Sequence, residues 1–109
     1  MATSYKVLGQ VNPAATTATT AYTVASSTEA VISTITACNM GFSPATYRIS
    51  VRPNGAAQEN KHYIVYDVSV GPQTTDTLTI GMTLDATDVV TVYSSTATMA
   101  FNLFGSEIA

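Results

Sequence analysis

The sequence predicts an all-β chain: a single antiparallel β-sandwich, jelly-roll-like, with seven to eight strands in one domain spanning residues 1–109. Three observations carry this reading. Residues 45–52 and 76–84 alternate apolar and polar side chains with a period of two, as half-buried strands do. Turn signals separate short β-rich runs at the spacing of roughly 8–12 residues that sandwiches and barrels use. No window carries an apolar stripe at helical spacing with caps at both ends. An internal repeat of the roughly 20–50-residue kind that marks solenoids and propellers is also missing.

Taken in order, the first strand is expected at "YKVLGQ" (5–10). Residues 11–20, "VNPAATTATT", have no periodicity and read as a loop or an extended arm. The arm is favoured, because Pro13 and the Ala/Thr run offer no side chains for a core. "AYTVAS" (21–26) is a short strand, and "EAVISTITACNM" (29–40) mixes apolar residues on both faces, as a strand covered on both sides would. "ATYRISVR" (45–52) turns Ala45, Tyr47, Ile49 and Val51 inward and stops at "PNG", a turn signal. A long loop then leads to "HYIVYDVSV" (62–70), which also reads as two-sided and should complete a hairpin with 45–52. "GPQTT" (71–75) turns the chain into "DTLTIGMTL". There Asp76, Leu78, Ile80, Met82 and Leu84 share one face, and Thr77, Thr79, Gly81 and Thr83 the other. "VVTVYSS" (89–95) and "ATMAFNLFGSEIA" (97–109) finish the set, the latter with Met99, Phe101 and Leu103 on one face and Phe104 opposite.

Composition narrows the function. The chain is 46% hydrophobic but only 10% charged, against about 25% charged in typical globular proteins. Mean hydropathy is +0.22, which does not suit disorder. No apolar run approaches the length of a membrane span, and "MATSYKVLGQ" has no basic region followed by an apolar one, so no secretory signal is expected. Net charge is −3, and the four cations, Lys6, Arg48, Arg52 and Lys61, are scattered. Nucleic-acid binding, which needs clustered cations to neutralise phosphates, is disfavoured. Threonine occurs nineteen times, and it occupies the outer face of 76–84, where monomeric soluble domains carry Lys, Glu or Arg. A surface so poor in charge points to cover by neighbouring chains.

No residue cluster announces a chemistry. His62, the only histidine, has no partner at recognisable spacing and reads as a packed or surface residue. Cys38, the only cysteine, allows neither an intrachain disulfide nor a cysteine-based zinc site and reads as a small buried hydrophobe. Asp85 and Asp88 in "DATD" lack the ligand spacing of a calcium loop and read as turn residues bonding their own backbone. "GFSPA" (41–45) is not a nucleophile elbow, and no glycine-rich phosphate loop is present. Enzyme activity, metals and cofactors are therefore not expected. Of the tyrosines, Tyr63 stands out, because Ile64 and Tyr66 already supply an inward face for its strand.

Four segments are more specific: "YKVLGQVNP" near the start, "KHYIVYDVSV" at 61–70, "VYSS" at 92–95 and "FNLFGSEI" at the end. They resemble small virion proteins of tailed bacteriophages, whose short all-β chains open with a Y-x-V-L-G-Q-type segment and close with F-N-x-F-G-x-E-I. The resemblance implies a non-enzymatic structural protein of the virion, made in the host cytoplasm and held by other copies of itself and other virion proteins. A capsid decoration or cement protein is favoured, with a tail or neck component next. Thr77, Thr79, Thr83 and Tyr63 are the candidate subunit-interface residues. The rival reading is a host-glycan-binding sandwich, with Tyr63 and Asp67 or the loop Asn54 to Lys61 as its site.

Overall fold

A computed structural model describes residues 2–109. Eight strands follow one another: β1 (Thr3–Val11), β2 (Thr19–Thr23), β3 (Glu29–Asn39), β4 (Ala45–Arg52), β5 (Tyr63–Val70), β6 (Thr74–Leu84), β7 (Val89–Ser94) and β8 (Met99–Ile108). They form two four-stranded sheets, ordered β1-β8-β3-β6 and β2-β7-β4-β5, and every neighbouring pair is antiparallel. First pairs with last, second with second-last, third with sixth and fourth with fifth. That is a long hairpin rolled into two layers, the jelly-roll arrangement. The β4–β5 hairpin has the long loop the sequence implies. Its turn at Pro53–Gly55 places Asn54 and Gly55 at φ 54° and 67°, the left-handed region that Asn-Gly tolerates.

The core lies between the sheets. Ile32, Ile35, Phe101 and Leu103 from one layer meet Tyr47, Ile49, Val90 and Val92 from the other, all at most 1% exposed. Tyr47 and Phe101 pack edge-to-face across the layers, with ring centroids 5.9 Å apart. Two buried phenols also bond carboxylates of the facing sheet. The Tyr47 hydroxyl donates to Asp76 at 3.1 Å, and the Tyr22 hydroxyl donates to Glu107. At one end of the sandwich, buried Asn39 ties three connections together. Its amide donates to the carbonyls of Ser43, Val70 and Gly71, and its Oδ1 accepts from the Gly41 amide and the Thr98 hydroxyl.

Four expectations change. Residues 11–20 are not an arm but the end of β1, a loop and the start of β2. The Asn12 amide donates to the carbonyls of Ala97 and Met99, the Pro13 ring is buried, and the Thr16 amide donates to Ser94. The chain is thereby held against the β7–β8 connection. Next, β3 is not covered on both sides. A register shift between Ile32 and Thr34 changes which residues point inward, from Ala30 and Ile32 to Ile35 and Ala37, so an ordinary one-sided strand mimics a two-sided one. The third change concerns β5, which lies at a sheet edge. Only Val65 and Val70 reach the core, while Ile64, Tyr66 and Val68 are exposed. Register shifts against β4 and a left-handed Asp67 (φ 53°) produce the mixed pattern. Finally, Ile80 is not a core residue. The matching shift in β6, with Gly81 at φ 65°, turns it outward to 38% exposure, while Leu78, Met82 and Leu84 remain inside or half inside.

Candidate functional site

Residues paired across neighbouring strands share a face of the sheet, so the registers define the outer surface of β1-β8-β3-β6 row by row. Tyr5, Ser106, Val31 and Thr83 form one row, and Val7, Phe104, Thr34 and Thr79 the next. Gln10, Asn102, Thr36 and Thr77 form a third, in which the Gln10 amide donates to Asn102 at 2.8 Å. Ala100, Cys38 and Thr75 close the set. None of these side chains is charged; one more outward row, Thr3, Ile108 and Glu29, places an exposed carboxylate at one end of the face. Tyr5 is 86% exposed, Val7 47% and Phe104 37%, around a shallow hollow of about 560 Å³. Lys6 and Glu107 belong to the alternate rows and pair with each other at 2.6 Å, and the exposed Lys6 on edge strand β1 also borders the hollow.

The opposite surface, on β2-β7-β4-β5, is different in chemistry. Arg48 on β4 lies 4.3 Å from the ring centroid of Tyr66 on β5 and 4.2 Å from that of Tyr93 on β7. Its guanidinium also binds Asp67 through Nε and Nη2, at 2.7 and 3.3 Å. Tyr63 packs edge-to-face on Tyr66, with centroids 4.9 Å apart. Two loops rise over this surface. The β1–β2 loop contributes Thr16 and Ala18, and the β4–β5 loop contributes Gln58, which accepts the Ser50 hydroxyl at 2.8 Å. Beneath them Ser50 and Thr91 are buried although they point away from the core, and a cleft of about 240 Å³ remains between the loops.

Thr77, Thr79 and Thr83 are exposed on the neutral face, as the sequence implies. Tyr63 is half-buried on the other sheet, so the four candidate interface residues do not form one surface. Tyr63 and Asp67 do share a neighbourhood, joined through Tyr66 and Arg48. Tyr5, Val7 and Phe104 were not expected as a patch. Their signal was the alternation of Tyr5 and Val7 around Lys6 and the placing of Phe104 opposite Phe101 and Leu103. Arg48 between two tyrosines leaves no trace in the linear sequence, because the three residues come from three strands.

The remaining candidates are structural. His62 is buried, and its Nδ1 accepts the Glu59 amide at 3.0 Å while the Glu59 side chain caps the His62 backbone. Among the described residues no carboxylate bonds the imidazole. Asp88 accepts the amides of Asn54 and Asp85, and Asp85 accepts that of Ala86, so both aspartates bind turn backbone. Among the described residues no group of three or more His, Cys, Asp or Glu could hold a metal ion. Cys38 is half-buried on the neutral face rather than in the core.

Burial, followed by the bonds to Glu107 and Asp76, raises the Tyr22 and Tyr47 phenols well above their ordinary value. Hydrogen bonds from Lys6 and Tyr22 hold Glu107 below the usual carboxylate range, and Asp67 raises the Arg48 guanidinium. The raised phenols contribute stability that is complete below the unfolded tyrosine value of about 10 and is lost as pH rises through their folded values. The lowered carboxyl contributes stability that is present above its ordinary value of about 4.5 and is lost as pH falls. Urea midpoints measured against pH should therefore form a plateau with both flanks falling. The alkaline flank should start above about pH 10 and shrink in Tyr22→Phe. A midpoint that stays flat through tyrosine ionisation would refute the coupling.

The fold and its surfaces define the class: a jelly-roll β-sandwich with one neutral face and one aromatic, arginine-bearing face. No protein-family model, curated protein or solved structure matches the chain.

Proposed function

We propose that the protein is a non-enzymatic structural component of a tailed-phage virion, acting as a capsid decoration or cement protein and associating with copies of itself and with other virion proteins. The observation that carries this is the outer face of the β1-β8-β3-β6 sheet, whose rows are uncharged apart from Glu29 at one end. Exposed strands of monomeric proteins are normally guarded by charge, and this face has only Glu29, at its end, to desolvate. Four strands at about 4.8 Å spacing and about ten residues of ~3.3 Å rise give roughly 600 Å² in projection. That approaches the ~800 Å² each partner buries in a standard interface. The virion-protein resemblance of "YKVLGQVNP" and "FNLFGSEI" supplies the biological setting, and these segments form the two strands carrying Tyr5, Val7 and Phe104. Jelly rolls serve in viral capsids, an agreement by analogy of fold alone.

Light scattering over a range of protein concentrations, with co-sedimentation on purified shells and tails, tests the reading. Self-association or particle binding is expected. A protein that stays monomeric throughout and binds neither shells nor tails would sink it.

A further inference from the structure

We infer that the cleft on the outer surface of β2-β7-β4-β5 is a saccharide-binding site that takes one pyranose ring of a longer chain. Its walls come from separate elements: Thr16 and Ala18 from one loop, Gln58 from another, and Tyr63, Thr91 and Tyr93 from the strands. The cleft measures about 240 Å³, below the roughly 300–1,000 Å³ of pockets for drug-sized ligands. One sugar ring therefore suits it better than a whole drug-sized molecule.

The chemistry of the walls selects the ligand. The Thr16 hydroxyl donates to the Ala15 carbonyl, the Ser50 hydroxyl to Gln58, and the Gln58 amide to the Glu59 carbonyl, while the Thr91 oxygen accepts from Arg52. Their remaining lone pairs, the second Gln58 amide hydrogen and the Thr91 hydroxyl hydrogen are the mixed donors and acceptors offered to a polyhydroxylated ligand. Tyrosine rings offer apolar faces to the C–H side of a pyranose. Arg48 adds charged donors: Nε and Nη2 are engaged by Asp67, whereas Nη1 bonds no described residue. Because Asp67 already balances its charge, Arg48 strengthens bonds to hydroxyls without making the cleft a trap for anions. The arrangement is also held in advance. Tyr66 and Tyr93 flank the guanidinium, Tyr63 is braced on Tyr66, and Arg52 ties the β4–β5 loop down by donating to the Ala56 carbonyl at 2.9 Å and to Thr91 at 3.2 Å. Pre-placed groups reduce the ordering cost of binding. The cleft lies on the sheet opposite the neutral face, so it stands or falls independently of the virion reading.

The test is nuclear magnetic resonance titration of the intact, isotope-labelled protein with neutral and with uronic-acid-containing oligosaccharides at millimolar concentration. Saturable shifts confined to residues 16–18, 48–50, 58, 63 and 91–93 are expected with the neutral set, and binding of the uronic-acid set alone would overturn the charge-balanced site. Binding should weaken at least about tenfold, or ~1.4 kcal/mol, in Tyr63→Ala and in Gln58→Ala. Gln58 is an exposed loop residue, so its variant reports on the site even where Tyr63→Ala disturbs the strand. Absence of saturable shifts with both sets, shifts centred elsewhere, or a Gln58→Ala protein that binds as tightly as wild type would overturn the site.

Discussion

Gly105→Ala is expected to cost about 4 kcal/mol or more, a large share of the roughly 5–15 kcal/mol available to a domain of this kind. The reason is space, since Gly105 is not among the residues with positive φ. A methyl group there would sit 1.9 Å from the Val31 carbonyl oxygen and 2.9 Å from its carbon. Both are backbone atoms of β3, the strand hydrogen-bonded to β8, so relief requires the ladder itself to move. The close approach has a cause in the sheet. Register shifts fall between Val7 and Gly9 in β1, between Ile32 and Thr34 in β3, and opposite the latter in β6, all beside Phe104–Gly105. The irregularities line up as a crease across the sheet, where bulged strands bend. Gly81 provides the contrast. It has φ 65°, and a methyl group added there would meet nothing within 4 Å, so Gly81→Ala should cost only the roughly 1–2 kcal/mol of a left-handed residue. Urea denaturation of both variants measures the difference. A Gly105→Ala protein within about 1 kcal/mol of wild type would show that β8 and β3 do not pair in this register.

The same crease explains what the sequence could and could not disclose. Strand positions were legible because turns and alternation are local: "ATYRISVR" occupies β4 over its full length, and "PNG" turns as Asn-Gly should. The phase of each strand was legible only where no bulge intervened. In β3 the apolar residues change parity at Ser33, and in β6 the apparent inward set includes Ile80, which the bulge exposes. A bulge is a property of two strands, so one strand's residues record its consequence and not its cause. The contacts that make residues 11–20 a held loop rather than an arm are hidden for a related reason. Asn12 finds acceptors on Ala97 and Met99, some 85 positions away in the chain. Of the two surfaces, the neutral threonines of β6 were visible as a pattern, and the Arg48 cluster, assembled from β4, β5 and β7, was not.

Thr36→Lys should leave the isolated subunit nearly as stable as wild type and weaken its association by orders of magnitude. Thr36 is half-buried on β3, an interior strand of the neutral sheet, between Asn102 of β8 and Thr77 of β6. On a free monomer a lysine there extends into water, and surface substitutions of this type stay within about 0.5 kcal/mol. In an interface formed by this face, the ammonium would be enclosed among Thr, Asn, Gln and Phe side chains, with the carboxylate of the outer rows, Glu29, several rows away at the start of β3. An unpaired buried charge costs roughly 3–5 kcal/mol, which weakens association by about 10²–10⁴-fold. Thr79→Lys should act in the same direction but less strongly. Thr79 lies on β6, a sheet edge, and a flexible lysine stem can carry the charge out to solvent from an edge, whereas at Thr36 it must first cross another strand spacing of about 4.8 Å. Ser69→Lys, on the exposed edge of the other sheet, is the control that adds the same charge elsewhere. The expected order of association is wild type and Ser69→Lys together, then Thr79→Lys, then Thr36→Lys, with melting temperatures of the dilute proteins alike. Equal association of all four would remove the neutral face from the assembly. A loss shared by Ser69→Lys would assign the effect to net charge rather than to the face that Thr36 occupies.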